Sequence, residues 1–205
     1  KLKALQKKGQ NLQPVVLEGS TIARTFWGKA WCKNLEAYSD FANRLPRGRS
    51  YVRSQAVIDL KIEQGRVAGQ VMGSSLYRVD VTLEPLRPKV WADLLRECAG
   101  KIDSLIGLLQ GKLSKAVMEV LTRPGEGMFP SPKELKLSCS CPDGARMCKH
   151  VAAVLYGVGA RLDEKPELFF VLRQVNQLDR IGQAAAIPAL EATGSASSAR
   201  RLTDD

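Results

Sequence analysis

The chain has 205 residues, 44% of them hydrophobic, with 31 Lys/Arg against 21 Asp/Glu and a formal net charge of +10. That length and apolar content suit one sizeable domain with an appended module, and the absence of any run of about 18 apolar residues excludes a membrane-spanning helix. The charge is uneven. Residues 1–53 carry eleven of the Lys/Arg and only three of the Asp/Glu, an asymmetry that suggests a polyanionic partner, most often nucleic acid.

Residues 1–20 are basic and weakly patterned, and are expected to form a loosely held arm. An α+β domain is expected over 21–123. Thr25 can cap a helix whose Trp27, Trp31, Leu35 and Tyr38 fall on one stripe. Pro46 and Gly48 are expected to end it, leaving Arg44 to Arg53 as an irregular loop that runs into a strand. Three alternating runs follow: Ile58, Leu60 and Ile62; Val67, Gly69 and Val71; Tyr77, Val79, Val81 and Leu83. Separated by turns at Gln64-Gly65 and Gly73-Ser74-Ser75, they predict a three-stranded antiparallel meander with one buried face. A helix from Pro88 with Trp91, Leu94, Leu95 and Cys98 on one side comes next, then a second from about Ile102 to Leu121. Pro124, Gly125, Gly127, Pro130 and Pro132 predict a hinge-like linker over 124–134. A small module over 135–182 and a disordered Ala/Ser-rich tail over 183–205 complete the chain, which has no tandem repeat.

The module holds the densest chemistry. Three of the five cysteines and the only histidine fall within twelve residues, as Cys139-Ser140-Cys141, six residues, then Cys148-Lys149-His150. Three thiolates and one imidazole make a tetrahedral zinc donor set. Residues i and i+2 of an extended segment share a face, so Cys139 and Cys141 can reach one metal; in a helix they would diverge by roughly 200°. Pro142-Asp143-Gly144 is turn chemistry that folds the chain back. Val151, Val154, Leu155 and Val158 then mark a helix beginning near Cys148 and His150. A zinc held by three thiolates and a neutral imidazole carries a net charge near −1, which the positive helix end, Arg146 and Lys149 would offset. No signal peptide is visible, which favours metal binding over disulfides for these cysteines.

The CxC…CxH spacing differs from the commoner CxxC…H fingers and resembles the SWIM-type zinc finger. The likeness to bacterial SWIM zinc finger proteins extends to Phe26-Trp27-Gly28-Lys29-Ala30-Trp31, the stretch from Arg44 to Arg53, Leu108 to Lys112 and Cys148 to Tyr156, and covers about residues 20–175 of this chain. The resemblance implies a hairpin-helix module built on one structural Zn2+, with Cys139, Cys141, Cys148 and His150 as ligands. It also implies a DNA- or protein-binding role and, as partner, a helicase-like ATPase of the SWI/SNF class. The expected setting is cytoplasmic, with the nucleoid as a place of action.

Arg44, Arg47, Arg49, Tyr51 and Arg53 form an arginine-rich stretch with one aromatic, suited to tracking a phosphate backbone and laying a ring against a base. Lys149, between the last two metal donors, is a further candidate contact. The expected function is non-catalytic zinc and nucleic-acid binding, DNA ahead of RNA. A protein-interaction adaptor is the alternative. An enzyme with a carboxylate-based mechanism ranks last, because four ligands close the metal and no second histidine remains as a base.

Overall fold

The computed structural model describes residues 11–38, 41–98 and 114–175. Among them the chain forms six helices and one four-stranded antiparallel sheet. The elements are α1 (Phe26–Glu36), α2 (Leu45–Arg53), β1 (Val57–Glu63), β2 (Arg66–Met72), β3 (Leu76–Leu83), α3 (Pro88–Cys98), α4 (Lys115–Leu121), β4 (Leu135–Cys139), α5 (Lys149–Glu164) and α6 (Leu168–Leu172). The fold class is α+β, as expected, and the three strands of the meander and the helix from Pro88 lie where their periodicities put them.

The strand count needs correction. Leu135–Cys139 pairs with β3, setting Leu83 opposite Leu135, Val81 opposite Leu137 and Val79 opposite Cys139. The sheet order is therefore β1-β2-β3-β4. Leu135 and Leu137 alternate with Lys136 and Ser138, so β4 has the period of a half-buried strand and completes the sheet rather than standing as a separate hairpin.

A second correction concerns the arginine-rich stretch. Residues 45–53 are helical, not an irregular loop. Pro46 lies in the first turn, where its missing N–H costs nothing. Gly48 packs against α5: a Cβ there would lie 2.4 Å from the Cβ of Ala152, so the glycine lets two helices touch instead of ending one.

Helix α5 is the centre of the molecule. From His150 to Ala160 every residue is buried, as befits a helix enclosed on all sides. It lies against α1 and α2 and across one face of the sheet, where Val154 meets Gly69. Trp31 of α1 donates its indole N–H to the Leu155 carbonyl at 2.8 Å, and Trp27 packs 5.7 Å from Phe169. Both tryptophans are core residues.

Two segments expected to be loose are held. Residues 13–15 run along the outer edge of β1, with Val15 N–H donating to Val57 at 3.0 Å and Leu60 N–H to Gln13 at 2.9 Å. Within 124–134, Met128 and Phe129 are buried, and the Pro130 carbonyl accepts hydrogen bonds from Tyr38 and, at 3.2 Å, from Asn34. One hydrophobic cluster runs from Val15 through α1, the sheet and α5 to Leu172. Residues 1–10, 39–40, 99–113 and 176–205 lie outside the described residues, and with them half of the expected basic arm, most of the helix expected from Ile102, the Leu108–Lys112 stretch and the expected tail.

Candidate metal centre

The end of β4 and the start of α5 bring Cys139, Cys141, Cys148 and His150 together. Their donor atoms all lie within 4.8 Å of one another. The extended path of β4 continues past its last residue, because Ser140 N–H donates to Arg78 at 3.0 Å and the Ser140 hydroxyl accepts from Arg78 N–H at 3.0 Å. Cys139 and Cys141 thus stay on one side of the chain. The turn that follows is tied by Asp143, whose Oδ1 accepts from Ala145 N–H at 3.2 Å and whose Oδ2 pairs with Arg44 at 3.0 Å. Arg146 closes the loop over the sheet edge by donating to the Pro132 carbonyl at 2.8 Å.

Cys148 is the N-cap residue of α5. That position sets its thiol at the positive end of α5. Cys148 and His150 are 1% and 3% exposed. The His150 ring is stacked on Tyr77 at 4.3 Å and meets the edge of Tyr51 at 5.3 Å. That clamp turns Nδ1 toward the cysteines, 3.8 Å from both Cys139 Sγ and Cys148 Sγ.

These distances fit a zinc ion. Zn–S and Zn–N bonds of about 2.3 and 2.0 Å in a tetrahedron put donors about 3.5–3.8 Å apart. The protonation chemistry fits as well. Burial first, and then the neighbouring thiols, push the Cys139 thiol up to about 12; burial raises Cys148 too. Burial, then Lys149, lowers the imidazole, which keeps His150 in the neutral form a metal needs. Three crowded thiols become thiolates together only with a cation among them.

The structure divides the six predicted nucleic-acid contacts into two groups. In a helix Arg47 and Tyr51 share one face, and Arg49 and Arg53 another. On the metal side, Lys149 lies over the Tyr51 ring at 5.1 Å. Its interaction with Tyr51 raises its pKa against the opposing charge of Arg47. Arg44 also lies here, engaged with Asp143. On the other side, Arg49 pairs with Glu36 at 3.0 Å, and Arg53 Nε donates to the Ser20 carbonyl at 2.9 Å. Sequence reasoning placed Tyr77 on a strand but missed that it holds the histidine ring; it read Asp143 as part of the turn, to which the structure adds the pairing with Arg44.

A closed cluster of three cysteines and one histidine between a sheet edge and a helix N-terminus defines a zinc-binding module. Residues 122–158 match the family model described as SWIM zinc finger, so the chain carries a SWIM zinc finger over the residues that form the cluster. It is similar to the uncharacterized protein Rv2102 of Mycobacterium tuberculosis, with 34% identity over 184 residues covering 88% of this chain and 66% of that protein. The chain therefore spans just under two thirds of the relative's length. No solved structure matches it. Among the described residues, no helix is long and apolar enough to cross a membrane.

Proposed function

We propose that this chain is a non-catalytic protein that carries one structural Zn2+ on Cys139, Cys141, Cys148 and His150, binds nucleic acid, and serves as accessory subunit of a helicase-like ATPase of the SWI/SNF class. The observation that carries the reading is the closed donor set beside an exposed cationic face. Four protein ligands fill a tetrahedral zinc and leave no position for substrate, while Arg47 and Lys149 lie near one another at the start of α5, with the Lys149 ammonium over the Tyr51 ring and that ring edge-on to His150. The ion ties β4 to α5 and so fixes the surface on which these cations sit. The ATPase partner rests on family resemblance alone.

Gel-shift titration of the zinc-loaded protein with duplex and single-stranded DNA over a salt series tests nucleic-acid binding, and co-purification from the native host tests the ATPase. A second reading has one observation in its favour. Arg44 is already paired with Asp143 on the metal side, which leaves fewer free cations for phosphates on that side than the sequence suggests and supports an adaptor that docks on protein. An ATPase complex that forms without any DNA affinity would select it.

A further inference from the structure

On the side of α2 away from the metal, a cleft of about 320 Å³ opens between the 20–23 segment, α1 and α2. Lys29, Lys33, Arg49 and Arg53 line it, with Glu36 as the one carboxylate and Tyr156 among the other walls. Four cations facing one anion repel one another, and a cleft concentrates their field. The two arginines are held in place from behind. The Glu36 carboxylate accepts from Arg49 at 3.0 Å and from the Tyr156 hydroxyl at 3.0 Å. Arg53 uses Nε on the Ser20 carbonyl at 2.9 Å, and its terminal nitrogens have no hydrogen-bond partner among the described residues. Guanidinium groups held in this way lose little freedom when an anion arrives. Lys29 and Lys33, one turn apart on α1, are exposed and have no ion pair or hydrogen bond among the described residues.

We propose that this cleft is a phosphate-binding site, taking one phosphoryl or phosphodiester group between the lysines of α1 and the arginines of α2. Planar guanidinium groups and mobile ammonium groups together suit a tetrahedral, multiply charged oxyanion. Two carriers present that chemistry: a small phosphorylated molecule, which a cavity of this size accommodates, and the backbone of a nucleic-acid strand passing over α2. The site does not depend on the metal-side surface. The two lie on different faces of α2, so either can fail while the other stands.

Titrating isotope-labelled, zinc-loaded full-length protein with pyrophosphate, and separately with a short single-stranded oligonucleotide, tests the site by amide spectra. Saturable shifts centred on Lys29, Lys33, Arg49 and Arg53 are expected with pyrophosphate. Lys29→Gln with Lys33→Gln, two exposed changes, should weaken that binding by about tenfold, whereas Arg47→Ala should leave it within about twofold. If the oligonucleotide shifts the same amides and is displaced by pyrophosphate, the carrier is nucleic acid; if pyrophosphate alone binds, it is a small phosphorylated molecule. Shifts that do not saturate at millimolar pyrophosphate, or that spread evenly over all surface cations, would overturn the proposal. So would unchanged affinity in the double lysine variant.

Discussion

Asp163, near the end of α5, holds the start of α1 through Thr25. Its Oδ1 accepts from the Thr25 hydroxyl at 2.6 Å and from the Thr25 backbone N–H at 3.1 Å, and its Oδ2 accepts from the Arg24 N–H. Thr25 occupies the N-cap position but makes no side-chain bond to its own helix. Its hydroxyl points away, to a carboxylate 138 residues along the chain. The first helix is thus anchored by the helix that begins at the metal.

Two substitutions test that anchor. Asp163→Ala leaves the Arg24 and Thr25 donors without their acceptor and should destabilise the fold by about 1–2 kcal/mol, the range of a lost helix cap. Gly28→Ala should cost about 1–3 kcal/mol by overpacking, because its Cβ would fall 2.3 Å from Asp163 Oδ1 and 2.5 Å from the Gly159 carbonyl oxygen. Urea unfolding measures both. A Gly28→Ala protein as stable as the parent would mean that α1 and α5 are not in this close contact.

Metal removal should act locally. Cys141→Ser is expected to lower the zinc content of the purified protein and to loosen the 140–148 loop and the first turn of α5. The rest of α5, from Ala152 to Leu162, is packed between α1, α2 and the sheet, so its amides should remain protected from exchange. Full zinc occupancy in a Cys141→Ser, Cys148→Ser double variant would refute the ligand set.

Acid should weaken the link between α6 and the segment before β4. Arg173 is 1% exposed and pairs with Glu134 at 2.7 Å. Burial raises the Glu134 pKa, but Ser131 and Arg173 outweigh it, and the net shift is downward. A carboxylate lowered in the folded state contributes stability above its unfolded pKa and loses it as pH falls through the folded value. Stability should therefore drop as pH passes below the ordinary carboxylate range. Glu134→Gln should lower stability at neutral pH and flatten that acid limb. Parallel acid limbs in the two proteins would assign the effect to other groups.

Salt dependence measures how many cations reach a phosphate backbone. Arg47→Ala with Lys149→Ala removes two charges on the metal side. If both contact phosphates, the slope of log K against log salt for duplex DNA should flatten by about 2 units. Unchanged slope and affinity would remove this face from the nucleic-acid surface and favour the adaptor reading.

Much of this architecture could be read from residue order. The alternation through Ile58, Val67 and Val79 placed three strands, and the spacing from Cys139 to His150 brought out a donor set that the fold does gather. The pairing of β4 could not be read. Leu135, Leu137 and Cys139 alternate as clearly as any strand here, but nothing local says that their partner is β3, across α3, α4 and the residues between them. Helix α2 was hidden for a different reason. Pro46 and Gly48 look like breakers until one knows that the first sits in an opening turn and the second faces Ala152. With the helix missed, the division of its arginines between two faces was missed as well, because an irregular loop does not sort residues 47 and 51 from 49 and 53.

The burial of α5 bears on how the zinc finger can be handled. The segment that matches the family, residues 122–158, contains β4 without the strand it pairs with and a helix without the α1 and α2 surfaces that cover it. Cut out as a peptide, it would keep all four donors and lose the scaffold that aims them. It would also expose Val151, Val154, Leu155 and Val158 to water. Such a peptide would bind metal as a flexible chelator and tend to self-associate through its bare helix, so its affinity and its partners would say little about the intact chain.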